Sequence, residues 1–569
     1  MSTASAQQIN PGQLKSELES TYTALNDKQA AKHLFDKDPG LWKTDSGQKQ
    51  KINARLGWLN LPNNADELID FSTQIKNEGF KHAVLLGMGG SSLCSEVARQ
   101  TFGSAKGYPE LLVLDNTAPS AIISIEKQID IEKTLFIAAS KSGNTTETLS
   151  FFKYFYAQLE NKEIANPGNN FVAITDDGTP LVKTAAEYKF RKVFINPSDI
   201  GGRYSVLSNF GLLPMALMGI DIKALLASAQ QMKENSNPGV PVALNPGISL
   251  GAVLGTAQQQ ERDKVTFVLS SSIKAFGYWV EQLIAESTGK EGKGLIPDAG
   301  ETLGSPEVYQ NDRIFVHLYL PSDDNKNNFE KLSALAQQGH PVVSIEVADK
   351  AALGGEYFRW EVATAIAGAV IGINPFDEPN VAEGKKNTND LLDEWLKKGS
   401  FKKLQPVIHE GNISVYGNEK EPGTGNPAVL KDFINNFTSQ AKTGDYIALL
   451  AYFEETDQRD EMLQTCRMQM RDKLKVAVTL GYGPRYLHST GQLHKGGPDT
   501  GVYVILTGDE QADVPIPGGQ YGFGTLHRAQ SLGDFRSLSD KGRRVIYIEL
   551  GKNIDTGLKE LYKVVCGTE

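Results

Sequence analysis

From residue 82 onward, short uninterrupted apolar runs alternate with amphipathic stretches. Residues 83–86 (AVLL), 111–114, 134–139 (TLFIAA), 171–175 and 193–195 are apolar along their whole length, which predicts strands buried on both faces. Residues 93–102, 119–129, 149–159 and about 181–188 lie between them and read as helices. Continuous strands alternating with helices make a parallel sheet covered on both sides, an α/β fold. A second alternation begins at residues 265–269 and a helix from about 273, where Phe276, Val280, Leu283 and Ile284 recur at spacings of three and four. It continues through strands at 314–320, 342–345, 447–452, 502–506 and 545–550. Helices are predicted at about 355–371, 462–474 and 530–538.

These patterns divide the chain into four parts. Residues 1–75 read as a polar helical arm, anchored on a later domain by Trp42, Leu56, Trp58 and Leu59. Residues 76–220 form a first sheet domain and 221–262 a connection of two helices. Residues 263–569 form a second sheet domain, with an insertion of little regular structure at 400–444. The expected architecture is two three-layer αβα domains, each around a mainly parallel sheet. A chain of 569 residues exceeds a single core of usual size, in keeping with this division.

Composition narrows the classes of function. Hydrophobic content of 40% and charged content of 22% are those of a soluble globular protein. A net charge of −10 argues against nucleic acid as a partner. The start of the chain carries no apolar leader, and no run of about 18 apolar residues predicts a membrane span. Cys94, Cys466 and Cys566 are far apart in sequence and show no disulfide framework or metal spacing. A cytoplasmic protein without a bound metal is the expectation.

Candidate chemistry concentrates in loops. Ser140-Lys141-Ser142-Gly143-Asn144-Thr145-Thr146-Glu147-Thr148 follows a strand and opens a helix. Free backbone N–H groups and the positive end of the helix dipole favour a phosphate there. The loop lacks the spacing of a nucleotide-binding P-loop, so a sugar phosphate is the expected ligand. Gly87-Met88-Gly89-Gly90-Ser91-Ser92 is a second loop at the same end of the sheet. Gly201-Gly202-Arg203 lets backbone approach closely while a guanidinium reaches into a cleft. Glu286 stands on the last turn of a helix, where the dipole opposes its charge, and shielding from water would raise its pKa toward that of a general base. Residues 483–498 gather His488, His494, Arg485 and Lys495 with four glycines, in a chain that has eight histidines.

LGMGGSSL, SKSGNTTET, GGRYS, ESTGK and INPFDEPNVAEGK, in this order, resemble the motifs of glucose-6-phosphate isomerases, whose halves are sugar isomerase (SIS) domains. The likeness runs from about residue 30 to the end. It is closest to the isomerase half of transaldolase/phosphoglucose isomerase fusion proteins, which share ARLGWLNLP and LHSTGQLHKGGP. The resemblance implies interconversion of glucose 6-phosphate and fructose 6-phosphate through a cis-enediol, without a cofactor. It implies that Ser140, Lys141, Ser142 and Thr145 hold the phosphate, with Ser91 near the sugar. Glu286 would carry the proton between C2 and C1, Gln282 would face the same cleft, and Arg203 would sit by the enediolate oxygens. Lys385 would help open the ring. The family's ring-opening histidine motif is absent after Glu286, where His317 lies within a predicted strand. His488 takes the role, with His494 second. Glu378 stands where the family usually has glutamine. The family is typically a dimer, so a homodimer is the implied assembly.

Overall fold

The computed structural model describes residues 6–417, 429–509 and 513–567. Its strands build three sheets. After β1 (Gln7–Asn10), the first sheet comprises β2 (His82–Leu86), β3 (Glu110–Leu114), β4 (Thr134–Ala139), β5 (Phe171–Asp176) and β6 (Lys192–Asn196). All five are parallel, in the order β3-β2-β4-β5-β6. From β2 the chain moves to one side for β3 and to the other for β4. The loops after β2 and β4, the two glycine- and hydroxyl-rich ones, therefore open at the switch point where such sheets take their ligands.

The second sheet holds β7 (Lys264–Leu269), β8 (Ile296–Asp298), β9 (Arg313–Tyr319) and β10 (Val342–Glu346) in parallel. Its edge is closed by β1, antiparallel to β10, with Gln7 opposite Ile345. Among its described residues the arm consists of helices and short loops, apart from β1, which completes this sheet. Helices Ile222–Asn235 and Pro246–Gln259 pack on helix Leu353–Ile371, which is buried almost all round, Glu356, Arg359 and Glu361 included. Trp42 caps this layer by donating its indole N–H to the carbonyl of Ala365 at 2.7 Å.

The third sheet corrects the expectation of a single sheet domain from 263 to 569. It contains β11 (Ile408–Glu410), β12 (Ile413–Gly417), β13 (Tyr446–Tyr452), β14 (Ala477–Tyr482), β15 (Gly501–Thr507) and β16 (Arg544–Glu549), in the order β11-β12-β16-β15-β13-β14. None of these strands pairs with β7–β10. Buried parallel strands are alike in composition, so apolarity reveals a strand without revealing its neighbour. The expected insertion at 400–444 supplies β11, β12 and helix Leu430–Thr438, and its residues 418–428 lie outside the described residues.

Buried charges fasten the third sheet to the second. Arg471, on helix Asp457–Leu474, lies 2.7 Å from Glu301, and its neighbour one turn earlier, Arg467, pairs with Asp298. Arg313 of β9 bridges both carboxylates at 2.7 and 3.0 Å. Tertiary folding also brings together two cysteines remote in sequence: Cys466 and Cys566 have their sulfurs 3.5 Å apart.

Candidate active site

The first sheet's domain, helix Val381–Lys398 and the third sheet's domain meet at a cavity of about 240 Å³, lined by Asn144–Glu147 of the first, by Lys385 of that helix, and by His488, Lys495 and Gln530 of the third. The loop after β4 turns at Gly143, whose φ of +68° suits glycine. Ser140 Oγ lies 2.8 Å from Thr145 Oγ1 and accepts from the N–H of Gly143 at 3.1 Å. Ser142 Oγ donates to Asn144 Oδ1 at 2.6 Å. Thr145 is the N-cap of helix Thr146–Asn161 but makes no side-chain cap bond, so the helix presents backbone N–H groups at the cavity wall.

Lys141 departs from expectation. Its ammonium pairs with Asp176 at the end of β5 and donates to the carbonyl of Ser198 at 2.9 Å. Burial pushes the carboxyl of Asp176 up, and the ammonium answers that cost.

The carboxylate and the guanidinium meet. Arg203 Nη1 lies 3.1 Å from Glu286 Oε1 and 3.0 Å from Glu378 Oε2. Its Nε donates to Ser287 Oγ at 2.8 Å, and Nη2 donates to the carbonyls of Pro375 and Asp377 at 2.9 and 3.0 Å. Lys290 holds the same segment through Asp377 at 3.0 Å, with its own pKa lowered to about 8 by burial first and by Arg203 next. Arg203 is fully buried by these partners. Burial pushes the carboxyl of Glu286 up and Arg203 pulls it down, while Glu378 pushes it up again; the net direction is up.

Gln282, one turn before Glu286, joins this pair to the cavity. Its Nε2 donates to Glu286 Oε2 at 3.1 Å and to the carbonyl of His488 at 2.7 Å, while its buried Oε1 has no partner among the described residues. The loop after β2 closes over this junction. A Cβ on Gly89 would fall 2.6 Å from the carbonyl oxygen of His488, and one on Gly90 would fall 2.2 Å from that of Gly202. Only glycine permits these approaches. Ser91 follows directly, buried in the short helical turn Gly89–Ser91.

His488 ends the turn Arg485–His488 of the third sheet's domain. Arg485 anchors that turn, donating to Glu455 Oε2 at 2.6 Å. His488 Nε2 lies 3.3 Å from Glu147 Oε1. Glu147 stands in the first turn of its helix, where the dipole favours a carboxylate. Burial works against its ionisation, but the imidazole of His488 and then Lys385 hold its carboxyl below the usual range. His494 is buried between the rings of Tyr486 and Tyr503 and does not line the cavity. His317 is wholly buried in β9, and burial lowers its pKa to about 4.

Glu147 and Gln530 were not singled out as site residues from the sequence. Glu147 lies within the phosphate-loop motif, and its place in the first turn of a helix was the available signal. Gln530 carries none, because a glutamine on an amphipathic helix reads as surface. Among the described residues, no group of three or more His, Cys, Asp or Glu is arranged to hold a metal ion, and no helix is long and apolar enough to cross a membrane.

Residues 72–295 match the family model described as phosphoglucose isomerase. This span holds Ser140–Thr145, Arg203, Gln282 and Glu286, whereas Lys385, His488 and the third sheet lie outside it. A probable glucose-6-phosphate isomerase of Methanococcus maripaludis is 29% identical over 383 residues, covering 61% of this chain and 86% of that protein. The glucose-6-phosphate isomerase of Staphylococcus saprophyticus is 28% identical over 387 residues, 59% of this chain and 86% of the relative. In fold, a hypothetical protein of Thermus thermophilus superposes with a TM-score of 0.57 at 23% identity, over 68% of this chain and all of that one. A glucose-6-phosphate isomerase of Chlamydia trachomatis gives 0.51 at 18% identity, over 66% of this chain and 86% of its own. Residues 72–295 thus match the phosphoglucose isomerase model, and the relatives to which this chain is similar carry the name glucose-6-phosphate isomerase.

Proposed function

We propose that the protein is a glucose-6-phosphate isomerase, moving a proton between C2 and C1 of an open-chain hexose 6-phosphate through a cis-enediolate. The observation that carries this reading is the 3.1 Å contact between Arg203 and the buried Glu286, tied through Gln282 to the wall of the cavity that holds His488. A hydrogen beside a carbonyl is a weak acid, and removing it takes a positioned base and positive charge by the developing oxygen anion. Glu286, with its raised pKa, serves as the base, and Arg203 supplies the charge. General acid–base catalysis contributes roughly 10²–10⁴-fold.

Ring opening precedes this step. Glu147 orients the imidazole of His488, as a carboxylate beside a histidine does in other acid–base pairs. Accepting from Nε2, it leaves Nδ1 to exchange a proton with the sugar, with Lys385 on the same cavity as the second polar group. Ser140, Ser142, Thr145 and the N–H groups of the helix start receive the phosphate, far from the reacting carbons, so that its binding orients C1 and C2. In this proposal Ser91, in the loop after β2, lies near the sugar.

The homodimer implied by the motifs is part of this proposal. A cytoplasmic setting suits its three free thiols. The test is a coupled assay of glucose 6-phosphate formation from fructose 6-phosphate. Wild-type protein turns over, and Glu286→Gln lowers kcat by about 10² or more while substrate still binds. Undiminished turnover in that variant removes Glu286 from the role.

A further inference from the structure

The pairing of Glu147 with His488 has a third member. Gln530, buried on helix Phe523–Asp540, donates from Nε2 to Glu147 Oε1 at 2.7 Å, the same oxygen that His488 Nε2 approaches at 3.3 Å. The other end of the amide is also engaged. Gln530 Oε1 accepts from the hydroxyl of Thr117 at 2.7 Å, and that hydroxyl lies 3.0 Å from His527 Nδ1. Thr117, Gln530 and His527 are all buried.

The orientation of a glutamine amide follows from its partners. Reversed, Gln530 would set its carbonyl oxygen against a carboxylate oxygen at 2.7 Å, acceptor against acceptor. A hydroxyl has a single proton. If Thr117 gives it to Gln530, it must accept from His527, whose Nδ1 then carries the hydrogen. The bonds therefore run one way: His527 to Thr117, Thr117 to Gln530, Gln530 to Glu147. At the end of the run Glu147 receives, and a carboxylate that receives from an amide is held ionised. It then accepts from His488 as well, so Nε2 of that ring bears its hydrogen and Nδ1 is the basic nitrogen.

We propose that Gln530 is a positioning residue for the Glu147–His488 pair, through which the third sheet's domain sets the tautomer of the ring-opening histidine. The inference rests on the isomerase reading and on ring opening by His488. Other charged or titratable groups near Glu147 are Lys385 on helix Val381–Lys398 and Tyr521 before helix Phe523–Asp540, and the ion pair of Lys495 with Asp534 lines the same cavity. None of them occupies the amide's place on Oε1.

Two substrates separate ring opening from proton transfer. Fructose 6-phosphate must be opened, whereas 5-deoxyfructose 6-phosphate has no C5 hydroxyl with which to close and presents its C2 carbonyl directly. Gln530→Glu keeps the size of the side chain and replaces the donor by a second carboxyl group, and Gln530→Met removes the polar contact. In both, kcat with fructose 6-phosphate should fall about tenfold or more, a part of the roughly 10²–10⁴ that a general acid–base supplies, while the open-chain ketose keeps its kcat within about twofold. Gln530→Glu should also move the acidic limb of the fructose 6-phosphate profile to higher pH, since two adjacent carboxyl groups retain a proton longer. Thr117→Val, which leaves the amide in place without its orienting donor, should show the same difference between substrates in weaker form, and it serves if the Gln530 variants fail to fold. An equal loss on both substrates, or no loss on fructose 6-phosphate, overturns the proposal. Absence of turnover in the wild-type protein would instead overturn the isomerase reading, so the two failures are distinguishable.

Discussion

Glu286 and Glu378 share a single guanidinium nitrogen: Arg203 Nη1 lies 3.1 Å from one carboxylate and 3.0 Å from the other. Two negative groups on one cation leave each less well compensated than it would be alone. Glu286 is deeply buried, whereas Glu378 is more open to solvent. The penalty therefore falls on Glu286, the group that has to accept a proton.

Glu378→Gln tests this arrangement. Removing the second charge returns Arg203 to Glu286 and lowers the pKa that burial and Glu378 raise. The base then stays ionised to lower pH, so the acidic limb of kcat/KM should move down by about one pH unit, the usual scale for one neighbouring charge. A weaker base also abstracts more slowly, so kcat at neutral pH should fall. The pH profile checks both, and an unmoved acidic limb contradicts the shared-cation account.

Arg203→Lys keeps a positive charge but cannot reproduce five N–H donors in a plane. Loss of the stabilising donors by the oxyanion should lower kcat by about 10²–10³-fold. Glu286 would be left buried and poorly paired, at a cost on the order of 3 kcal/mol in stability. Steady-state kinetics and urea unfolding read the two effects separately. A variant with normal kcat would place the guanidinium away from the reacting atoms.

Buried histidines make the fold sensitive to acid. Burial lowers His494 to about 3 and His527 to about 4, against about 6.5 in an unfolded chain. Between those values the unfolded state binds more protons than the folded one, so stability rises with pH. It is fully present above about 6.5 and lost as pH falls to about 4 for His527 and about 3 for His494, at up to about 1.4 kcal/mol per pH unit for each ring. The urea midpoint should drop over this window, and His494→Gln with His527→Gln should flatten the slope even where it lowers the midpoint. A slope unchanged by both substitutions would assign the acid sensitivity to other groups.

The attachment of the third sheet can be tested at Arg467. Its guanidinium is buried against Asp298 and donates to the carbonyl of Ala299 at 2.8 Å. Arg467→Met should cost on the order of 3 kcal/mol, because Asp298 keeps Arg313 but loses its second cation. Since His488 reaches Glu147 only from the docked third sheet, kcat should fall together with stability. Tm and turnover measured on one preparation check the coupling, and a destabilised variant with full activity would contradict it.

Much of this protein was legible from residue order alone. Continuous apolar runs located the strands of the first sheet almost residue for residue, because a strand buried on both faces has no polar side to blur its ends. The loop at 140–148, Arg203 and Glu286 could be singled out from their own short segments and Gln282 through the family resemblance, and the fold brings Arg203, Gln282 and Glu286 together. What tertiary structure alone decided was pairing. The strands from 408 to 549 form a sheet of their own, because equal apolarity does not encode a partner. Lys141, placed in the loop by sequence, turned to Asp176, a carboxylate 35 residues away that burial had left in need of a cation. Glu147, Gln530 and Thr117 became neighbours of His488 only when the third sheet's domain closed on the first. Hydrogen bonds spanning hundreds of residues leave no trace in local pattern, since each partner is ordinary in its own segment and acquires a role only from what packs against it.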